Sequence, residues 1–375
     1  MKKIVIQTGN RAEYGLLEPL MKEMVSQGLD VKLLVTGEHL SSTSINEIIL
    51  PIAKKVDIKV SSKKPVDTAK SIGLGIWGIA NALSELKPDI LVLLGDRYET
   101  LAGAIAALTL RIPVAHIAGG EISEGAIDEN IRHAITKLSH IHFTMTDVCA
   151  ARIDLMGEEA WRIHVVGSLC KDGIKIKQKK EVEKELGISL SEKTMLCIFH
   201  PVTLEFEKTQ DQIKQLLSAI NKAYIQTIMI YPNTDTGGDV IIKEIKKAMK
   251  NNNKLKTFKN INRDTFLSLM SYVDLMIGNS SSGLVESPMF KLPVINVGNR
   301  QRGRDRERNV VDVECDSKEI TNMIKKILNN KNFRTELKNV KNEYSDGQAS
   351  KRITDIIKNL QFDKDLIMKK YEVLL

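Results

Sequence analysis

Short apolar runs alternate with longer amphipathic stretches along nearly the whole chain. The apolar runs are continuous and rich in β-branched residues, which is typical of parallel strands that are buried on both faces of a sheet. They are KKIVIQT, VKLLVTG, DILVLLGD, IPVAHI, HIHFTM, IHVVGS, TMLCIFHP, IQTIMIYP, DLMIGNSS and LPVINVG. Most of the segments between them have the length of a helix, for example 98–111 and 265–272. The pattern predicts an α/β fold of the doubly wound kind.

The series of strands pauses at 167–188, where a lysine-rich stretch carries no strong apolar run, and it resumes at Thr194. A chain of 375 residues is also longer than one hydrophobic core usually serves. We therefore expect two Rossmann-like domains, 1–168 and 190–349, and a C-terminal helix within 350–375 that packs back on the first domain. Ligands of such folds bind at the carboxyl ends of the strands, so we expect a site in a cleft that the two domains face.

Composition narrows the class of protein. The hydrophobic fraction of 42% and the charged fraction of 27% are ordinary for a globular protein, and no apolar run approaches the roughly 20 residues that span a bilayer. The apolar segment 4–6 is too short for a secretory signal. The four cysteines form no Cys-x-x-Cys pair, which argues against a disulfide scaffold or a zinc site. We expect a cytoplasmic protein without a membrane partner, whose cysteines are small buried side chains.

The net charge of +8 suits an anionic ligand. Clustered lysines and arginines would indicate nucleic acid, because they neutralise phosphates. Here, however, the lysines are interleaved with acidic residues, and an aromatic share of 5% offers little surface for bases to stack on. The sequence therefore favours a small anionic ligand and no nucleic-acid partner.

Polar residues cluster where strands of the first half are expected to end. Gly9, Asn10 and Arg11 follow the first strand and precede a helix, a place that suits phosphate or sugar oxygens. The segment 95–133 carries several carboxylates close to histidines, an arrangement that suits acid and base chemistry. These carboxylates are Asp96, Glu121, Asp128 and Glu129. The alternatives are a surface ion pair for Arg11 and ordinary polar loops for the rest.

The second half repeats this arrangement. The stretch LMIGNSSSGLVESP predicts a strand over 274–277, a turn at Gly278, and a helix that starts at 279–282 and could bind a diphosphate. Simple capping by serine is the alternative. The candidate binding residues are Asn279, Ser280, Ser281, Ser282, Gly283, Glu286 for ribose hydroxyls, and Arg300 from the basic loop that follows the next strand. His200, at the end of strand TMLCIFHP, is a candidate acid or phosphate ligand.

Five motifs in order resemble the hydrolysing UDP-N-acetylglucosamine 2-epimerases. They are TGNRAEYG, GDRYE, HIAGGEISEGAIDENIRHAITKLSH, FHPVT and GNSSSGLVES with PVINVGNRQRGR, and they extend from residue 8 to about residue 310. The stretch IQTGNRAEYG after the first strand is not the G-x-G-x-x-G dinucleotide fingerprint, which disfavours a nicotinamide or flavin cofactor. The resemblance implies a two-domain glycosyltransferase-B-like fold, a nucleotide-sugar substrate, no metal or other cofactor, and a homodimer or homotetramer.

The resemblance also implies a reaction. UDP-GlcNAc and water would give N-acetylmannosamine and UDP, the entry step of sialic acid biosynthesis, by anti elimination of UDP followed by hydration of 2-acetamidoglucal. By motif match, Asp96, Glu121, Asp128, Glu129 and His200 are the catalytic residues, and the division of labour among the carboxylates stays open. His116 and His133 are expected to position other groups, and His39 to line the sugar site.

One position departs from the family pattern. Non-hydrolysing and animal relatives carry Glu two residues after the histidine that matches His116, whereas Ala118 stands here. Glu121 is the expected replacement. Three alternatives stay open. The substrate could be a UDP- or GDP-linked 2,4-diacetamido-2,4,6-trideoxyhexose, on the way to legionaminic-type acids. The protein could instead be a non-catalytic nucleotide-sugar sensor, or a glycosyltransferase, which is disfavoured because nothing in the sequence marks an acceptor site. Retention of all four carboxylates argues against the sensor.

Overall fold

The computed structural model describes residues 1–41, 48, 50–58, 65–123, 126–232, 237–337, 340 and 344–370. These residues form two compact units. The first comprises Met1–Glu121, Asp128–Gly173 and the described part of Glu343–Leu375. The second comprises the described parts of Ile122–Ile127 and Ile174–Asn342.

The first unit is built on a seven-stranded parallel sheet. Its strands are β1 (Lys3–Thr8), β2 (Asp30–Thr36), β3 (Ile52–Val56), β4 (Ile90–Leu94), β5 (Val114–Ile117), β6 (Ile141–Thr144) and β7 (Ile163–Val165). Their order in the sheet is β3-β2-β1-β4-β5-β6-β7. The reversal of direction beside β1 makes the sheet doubly wound, and in such sheets ligands bind at the carboxyl ends of the strands around that point.

Helices cover both faces of this sheet. They are α1 (Arg11–Ser26), α2 (Glu38–Ser41), α3 (Pro65–Leu86), α4 (Tyr98–Thr109), α5 (Asp128–Leu138) and α6 (Asp147–Leu155), with short 3-10 helices at Ala160–Arg162 and Leu169–Lys171. One face packs against α1, where Leu17, Leu20 and Met21 are fully buried. The other face packs against α3 and α4, where small residues such as Ala104 and Ala107 let the helix lie close to the sheet.

The second unit repeats the plan with six parallel strands. They are β8 (Thr194–Ile198), β9 (Gln226–Ile230), β10 (Leu255–Phe258), β11 (Leu275–Gly278), β12 (Val294–Val297) and β13 (Val310–Val313), in the order β10-β9-β8-β11-β12-β13. The helices are α7 (Lys179–Leu186), α8 (Thr209–Ala223), α9 (Gly238–Met249), α10 (Arg263–Tyr272), α11 (Ser282–Val285), α12 (Ser317–Asn329) and α13 (Lys331–Glu336), with 3-10 helices at Thr203–Lys208 and Ser287–Phe290. The reversal of direction falls beside β8, so His200 follows the central strand.

The C-terminal segment returns to the first unit. Helix α14 (Ala349–Asn359) packs beside α1, and its residues Ile353 and Ile357 are fully buried in the same apolar cluster as Leu17. Helix α15 (Lys364–Ile367) is fixed by Arg162, whose guanidinium is fully buried. The Arg162 guanidinium donates hydrogen bonds of 2.8–3.1 Å to the carbonyl groups of Asp365, Leu366 and Met368. Residues 371–375 of the predicted C-terminal helix segment lie outside the described residues.

The α/β fold class with two parallel sheets is confirmed. All ten predicted strands are present, but β3, β10 and β13 were not predicted. The lysine-rich stretch 167–188, in which no strand was predicted, contains helix α7, whose Val182 is fully buried. None of the helices in the described ranges is long and apolar enough to cross a bilayer.

Candidate active site

One buried arginine binds two carboxylates, one that follows β4 and one in α5, together with a backbone oxygen that follows β5. Arg132 lies in the first turns of α5 and only 1% of its side chain is exposed. Its Nη1 donates to the Glu129 carboxylate at 2.9 Å and to the backbone oxygen of Glu121 at 2.6 Å, while Nη2 binds the Asp96 carboxylate. Asp96 and Glu129 therefore lie on one guanidinium, as sequence reasoning expected them to lie together.

Sequence reasoning missed Arg132 itself. The available signal was its spacing of three residues from Glu129, which places both on one face of a helix. Burial opposes the charge of the guanidinium, but Asp96, Glu129 and Glu121 more than offset this and raise the pKa of Arg132. The arginine is therefore charged at every working pH, and it fixes the two carboxylates it binds.

Glu121 follows a tight turn in which only small residues fit. Gly120 has a φ of +75°, and a Cβ added there would lie 2.2 Å from the backbone oxygen of Cys149. The Glu121 side chain is 3% exposed, and its Oε1 accepts a hydrogen bond from the Cys149 thiol at 3.0 Å. Asp128, the fourth carboxylate, is the first residue of α5 and is partly exposed.

Ala118 is buried and unsuited to a carboxylate. It has a φ of +66°, is 6% exposed and belongs to the apolar cluster that includes Tyr14 and Phe143. A carboxylate among such side chains would lose its hydration without a polar partner, which costs several kcal/mol or forces the group to be neutral. Glu121, three residues further on, is the nearest acidic side chain that follows β5.

Two histidines support the carboxylates. His116 is fully buried, and its Nε2 lies 2.8 Å from the backbone oxygen of Gly95, just before Asp96. Burial lowers the pKa of His116 to about 3, so the ring is neutral and Nε2 carries the proton that it donates to the carbonyl. His133, 40% exposed, places Nε2 at 3.1 Å from Glu129. Both contacts suit the positioning role that the sequence suggested.

The turn after β1 is held by an acidic residue that sequence reasoning also missed. The Glu13 carboxylate accepts from the backbone N–H of Gly9 at 2.7 Å and from Asn10 Nδ2 at 2.8 Å, while Asn10 Oδ1 accepts from the Glu13 N–H. Burial is the main reason that the pKa of Glu13 rises to about 8, against the opposing charge of Arg97. This reciprocal cap fixes Arg11 as the first residue of α1.

His39 packs against the turn after β1, which carries Arg11. Its side chain is 1% exposed, its Nδ1 is 3.4 Å from Thr8 Oγ1, and its ring lies 5.4 Å from that of Tyr14. Burial, and then the charge of Arg11, lowers the pKa of His39 to about 4. The imidazole is therefore neutral, and it packs beneath the turn that carries Arg11.

In the second unit, His200 and Asn279 join the ends of β8 and β11. The His200 N–H donates to Asn279 Oδ1 at 2.7 Å, and Asn279 Nδ2 donates back to the His200 carbonyl at 2.9 Å. Gly278 lets the two chains approach, because a Cβ there would lie 1.9 Å from the Ile198 oxygen. The imidazole of His200 is 8% exposed. Both the oxygen and the nitrogen of the Asn279 side chain are thus hydrogen-bonded to the backbone of His200.

The serine turn contains a shorter helix than the sequence predicted. Helix α11 has four residues and starts at Ser282, with Ser281 as its N-cap. Ser280 Oγ accepts from the Ser282 N–H at 3.3 Å. The helix starts at Ser282, the last residue of the predicted start region, because Asn279 and Ser280 join the strands and shape the turn. Gly283 fits against β12, where an added Cβ would lie 3.0 Å from Val294.

The basic loop closes over this turn. Arg300 Nη1 and Gln301 Nε2 donate to the Asn279 carbonyl at 3.1 and 2.9 Å. Arg306 instead pairs with Asp312 on the edge strand β13. Glu286, which follows α11, is partly exposed, and burial raises its pKa despite the charges of Arg263 and Arg304. Arg300 therefore lies at the serine turn.

Residues 22–358 match the model of the UDP-N-acetylglucosamine 2-epimerase family. The chain belongs to this family. This confirms the family that the five sequence motifs predicted. A UDP-N-acetylglucosamine 2-epimerase from Neisseria meningitidis is 33% identical over 332 residues, with 86% of this chain and 87% of that protein covered.

Two relatives carry other names within the family. A GDP/UDP-N,N'-diacetylbacillosamine 2-epimerase (hydrolyzing) from Campylobacter jejuni is 39% identical over 325 residues and covers 84% of both chains. A UDP-N,N'-diacetylbacillosamine 2-epimerase (hydrolyzing) from Legionella pneumophila is 34% identical, with 98% of this chain and 99% of that protein covered. The fold also matches a solved UDP-GlcNAc 2-epimerase from Neisseria meningitidis bound to UDP-GlcNAc, with a TM-score of 0.81, 19% identity, and coverage of 96% and 100% of the two chains.

Proposed function

We propose that this protein is a hydrolysing 2-epimerase of a nucleotide-linked 2-acetamido sugar. The observation that carries the proposal is the Arg132 cluster, in which Asp96 and Glu129 are bound to one buried guanidinium and the backbone of Glu121 is bound to the same group. Membership of the family and the similarity to hydrolysing relatives support the same reaction.

The reaction needs carboxylates in fixed places. The proton on carbon 2 becomes acidic only when the bond from carbon 1 to the diphosphate stretches and positive charge develops on the ring. A carboxylate then removes that proton while the diphosphate leaves with the bonding electrons, which gives the 2-acetamidoglucal. In the second stage, water adds at carbon 1 and a proton returns to carbon 2 from the opposite face.

The contacts of the carboxylates suggest how they divide this work. Asp96 and Glu129 are both bound by a permanently charged guanidinium, an environment that favours a proton acceptor over a proton donor. We propose one of them as the base of the elimination. Glu121 binds the guanidinium through its backbone oxygen and a thiol through its carboxylate, so we propose it for the hydration stage. Asp128, in the first turn of α5, is the second candidate for that stage.

The second unit supplies candidate groups for the leaving nucleotide. Arg300, Ser281 and Ser282 lie around the Asn279 backbone and suit the growing charge of a diphosphate. Glu286 is proposed for the ribose hydroxyls and His200 for a phosphate oxygen. Arg11, fixed by the Glu13 cap, is proposed as a further phosphate or sugar ligand from the first unit.

Two sugars are candidates. The sequence motifs favour UDP-GlcNAc, with N-acetylmannosamine and UDP as products. The relatives from Campylobacter jejuni and Legionella pneumophila favour a UDP- or GDP-linked 2,4-diacetamido-2,4,6-trideoxyhexose, because they are 39% and 34% identical and are named for N,N'-diacetylbacillosamine. Both sugars have the 2-acetamido group and the carbon-2 proton that the chemistry requires.

A proton NMR time course in deuterated water tests the reaction and the sugar together. The enzyme is incubated separately with UDP-GlcNAc and with the UDP- and GDP-linked diacetamido sugars. We expect a free 2-epimerised sugar with deuterium at carbon 2, and nucleoside diphosphate in equal amount. A nucleotide-linked mannosamine as the first product would contradict the hydrolysing reaction, and failure of all three substrates would contradict the function.

Asp96→Asn tests the carboxylate cluster. The change removes the negative charge that faces Arg132, so we expect release of nucleoside diphosphate to fall below detection while the protein remains folded. Asp30→Asn is the matched control, because Asp30 lies at the amino end of β2 in the same sheet and pairs with exposed Lys32. Near-normal turnover by Asp96→Asn would remove Asp96 from the mechanism.

A further inference from the structure

The carboxylate of Glu121 has a thiol as a partner. Cys149 Sγ lies 3.0 Å from Glu121 Oε1, a distance short for a hydrogen bond that involves sulfur. Cys149 is 1% exposed and Glu121 is 3% exposed, so this contact is shielded from solvent. The sequence suggested that the cysteines are small buried side chains, and this contact gives one of them a polar role.

The thiol is itself held in place. Cys149 lies in the first turn of α6, where Thr146 is the N-cap and its Oγ1 accepts from the Cys149 N–H at 3.2 Å. The Thr146 hydroxyl in turn lies 3.2 Å from Cys149 Sγ and can donate to it. The sulfur thus accepts from the Thr146 hydroxyl and, at 4.0 Å, from Arg152 Nη1, and its own S–H is directed at Glu121.

The same helix also holds the backbone before Glu121. Gly120 packs directly on the backbone of Cys149, and Arg152 Nη1 donates to the Gly120 carbonyl at 3.0 Å. Arg132 binds the next carbonyl, that of Glu121, from the other side. Two arginines therefore hold the backbone on either side of the Gly120–Glu121 peptide bond, and the carboxylate of Glu121 accepts a hydrogen bond from the thiol.

Protonation of the thiol agrees with a donor role. Burial, together with the nearby charge of Glu121, raises the pKa of Cys149 to about 12. The group therefore remains an S–H donor throughout the pH range in which the enzyme works. A thiolate would repel the carboxylate, so this environment keeps the contact attractive.

We propose that Cys149 is a positioning residue that orients the Glu121 carboxylate for the hydration stage of the reaction. Cys149 acts through Glu121 and does not touch the substrate. The inference rests on the proposed function in assigning Glu121 a catalytic task, but the thiol–carboxylate contact itself can be tested without turnover.

The kinetic test uses Cys149→Ala, Cys149→Ser and Cys197→Ala. Loss of one hydrogen bond to a charged group should lower kcat for free-sugar formation roughly 10- to 100-fold in Cys149→Ala, with KM changed less than about threefold. Cys149→Ser retains a donor and should recover most of kcat. Cys197 is fully buried in β8 and its thiol binds none of the described residues, so Cys197→Ala deletes an equal volume and should keep kcat.

A spectroscopic test is independent of turnover. The S–H stretching band of Cys149, identified by its loss in Cys149→Ala, should move to higher frequency in Glu121→Gln, because an amide oxygen is a weaker acceptor than a carboxylate. An unmoved band, or equal kcat for Cys149→Ala and Cys197→Ala, would overturn the inference. Absence of turnover in the wild type with a shifted band would instead contradict the proposed function alone.

Discussion

Arg132 is almost completely buried and still carries a charge, because three oxygen atoms from separate parts of the chain accept hydrogen bonds from its guanidinium. Asp96 follows β4, Glu121 follows β5, and Glu129 precedes Arg132 on the same helix. Removing one partner of a buried pair leaves an uncompensated charge, which is more costly than never forming the pair. The site therefore depends on this residue for both its shape and its stability.

Arg132→Met should lower the free energy of unfolding by about 3–5 kcal/mol and lower kcat at least about 100-fold, because two carboxylates lose their shared cation. Urea unfolding and release of nucleoside diphosphate measure the two effects. Arg352→Met is the control, since Arg352 is 43% exposed and pairs with exposed Asp346. It should cost about 1 kcal/mol or less. Equal losses in the two variants would contradict the role of Arg132.

The residues that sequence reasoning predicted and those it missed differ in one physical respect. Asp96 and Glu121 were predicted because they follow strands, where topology alone brings polar groups together, and Glu129 was predicted because it belongs to a motif that resembles the family. Arg132 and Glu13 were missed because they lie within helices, where an ionisable residue usually faces solvent. Their burial becomes evident only once the neighbouring strand ends supply their partners.

Among elements, the missed strands share a position in their sheets. β3, β10 and β13 are edge strands, with partly exposed residues and polar side chains such as Lys54, Lys256 and Asp312. The predicted strands are mostly central and therefore read as continuous apolar runs. Strand β7 is also an edge strand, yet IHVVGS was apolar enough to be predicted. Edge strands are partly exposed to solvent and therefore carry polar residues, so their sequences resemble those of loops.

The close approach of β8 and β11 gives a prediction at the same scale. Gly278→Ala forces a Cβ against the Ile198 oxygen and also strains a φ of +132°, so it should lower the free energy of unfolding by about 3 kcal/mol or more. Gly298→Ala is the matched control, with a φ of +76° and open space around it, and should cost about 1–2 kcal/mol. Thermal or urea unfolding compares them, and equal losses would show that backbone conformation alone matters.

For the whole molecule, the titratable histidines are unevenly distributed. Of the seven histidines, only His200 lies in the second unit. In the first unit, burial lowers the pKa of His116 to about 3, and of His39 and His140 to about 4, and it also lowers the pKa of His142. Between these values and the unfolded value near 6.5, the unfolded chain binds protons that the folded unit does not.

The first unit should therefore lose stability as the pH falls from 6.5 towards 4, by about 1.4 kcal/mol per pH unit for each such histidine. Glu13, with a raised pKa of about 8, opposes this, but it is a single group. In the second unit, the raised pKa of Glu286 acts in the stabilising direction. Both tryptophans, Trp77 and Trp161, lie in the first unit.

The melting temperature, measured by tryptophan fluorescence, should fall when the pH is lowered from 7 to 5. Amide hydrogen exchange, corrected for its intrinsic pH dependence, should show β5 and β6 losing protection before β8 and β11. Preferential loss of the second unit at pH 5 would contradict the prediction.

The return of α14 to the first unit has a consequence for synthesis on the ribosome. Ile353 and Ile357 complete the same core as Ile4 and Leu17, so a nascent chain cannot close that core until α14 has emerged. The second unit occupies one nearly continuous stretch from Ile174, and the strands among its described residues are complete by Val313. During synthesis the second unit should therefore become compact first, while the first unit stays partly open until α14 has emerged.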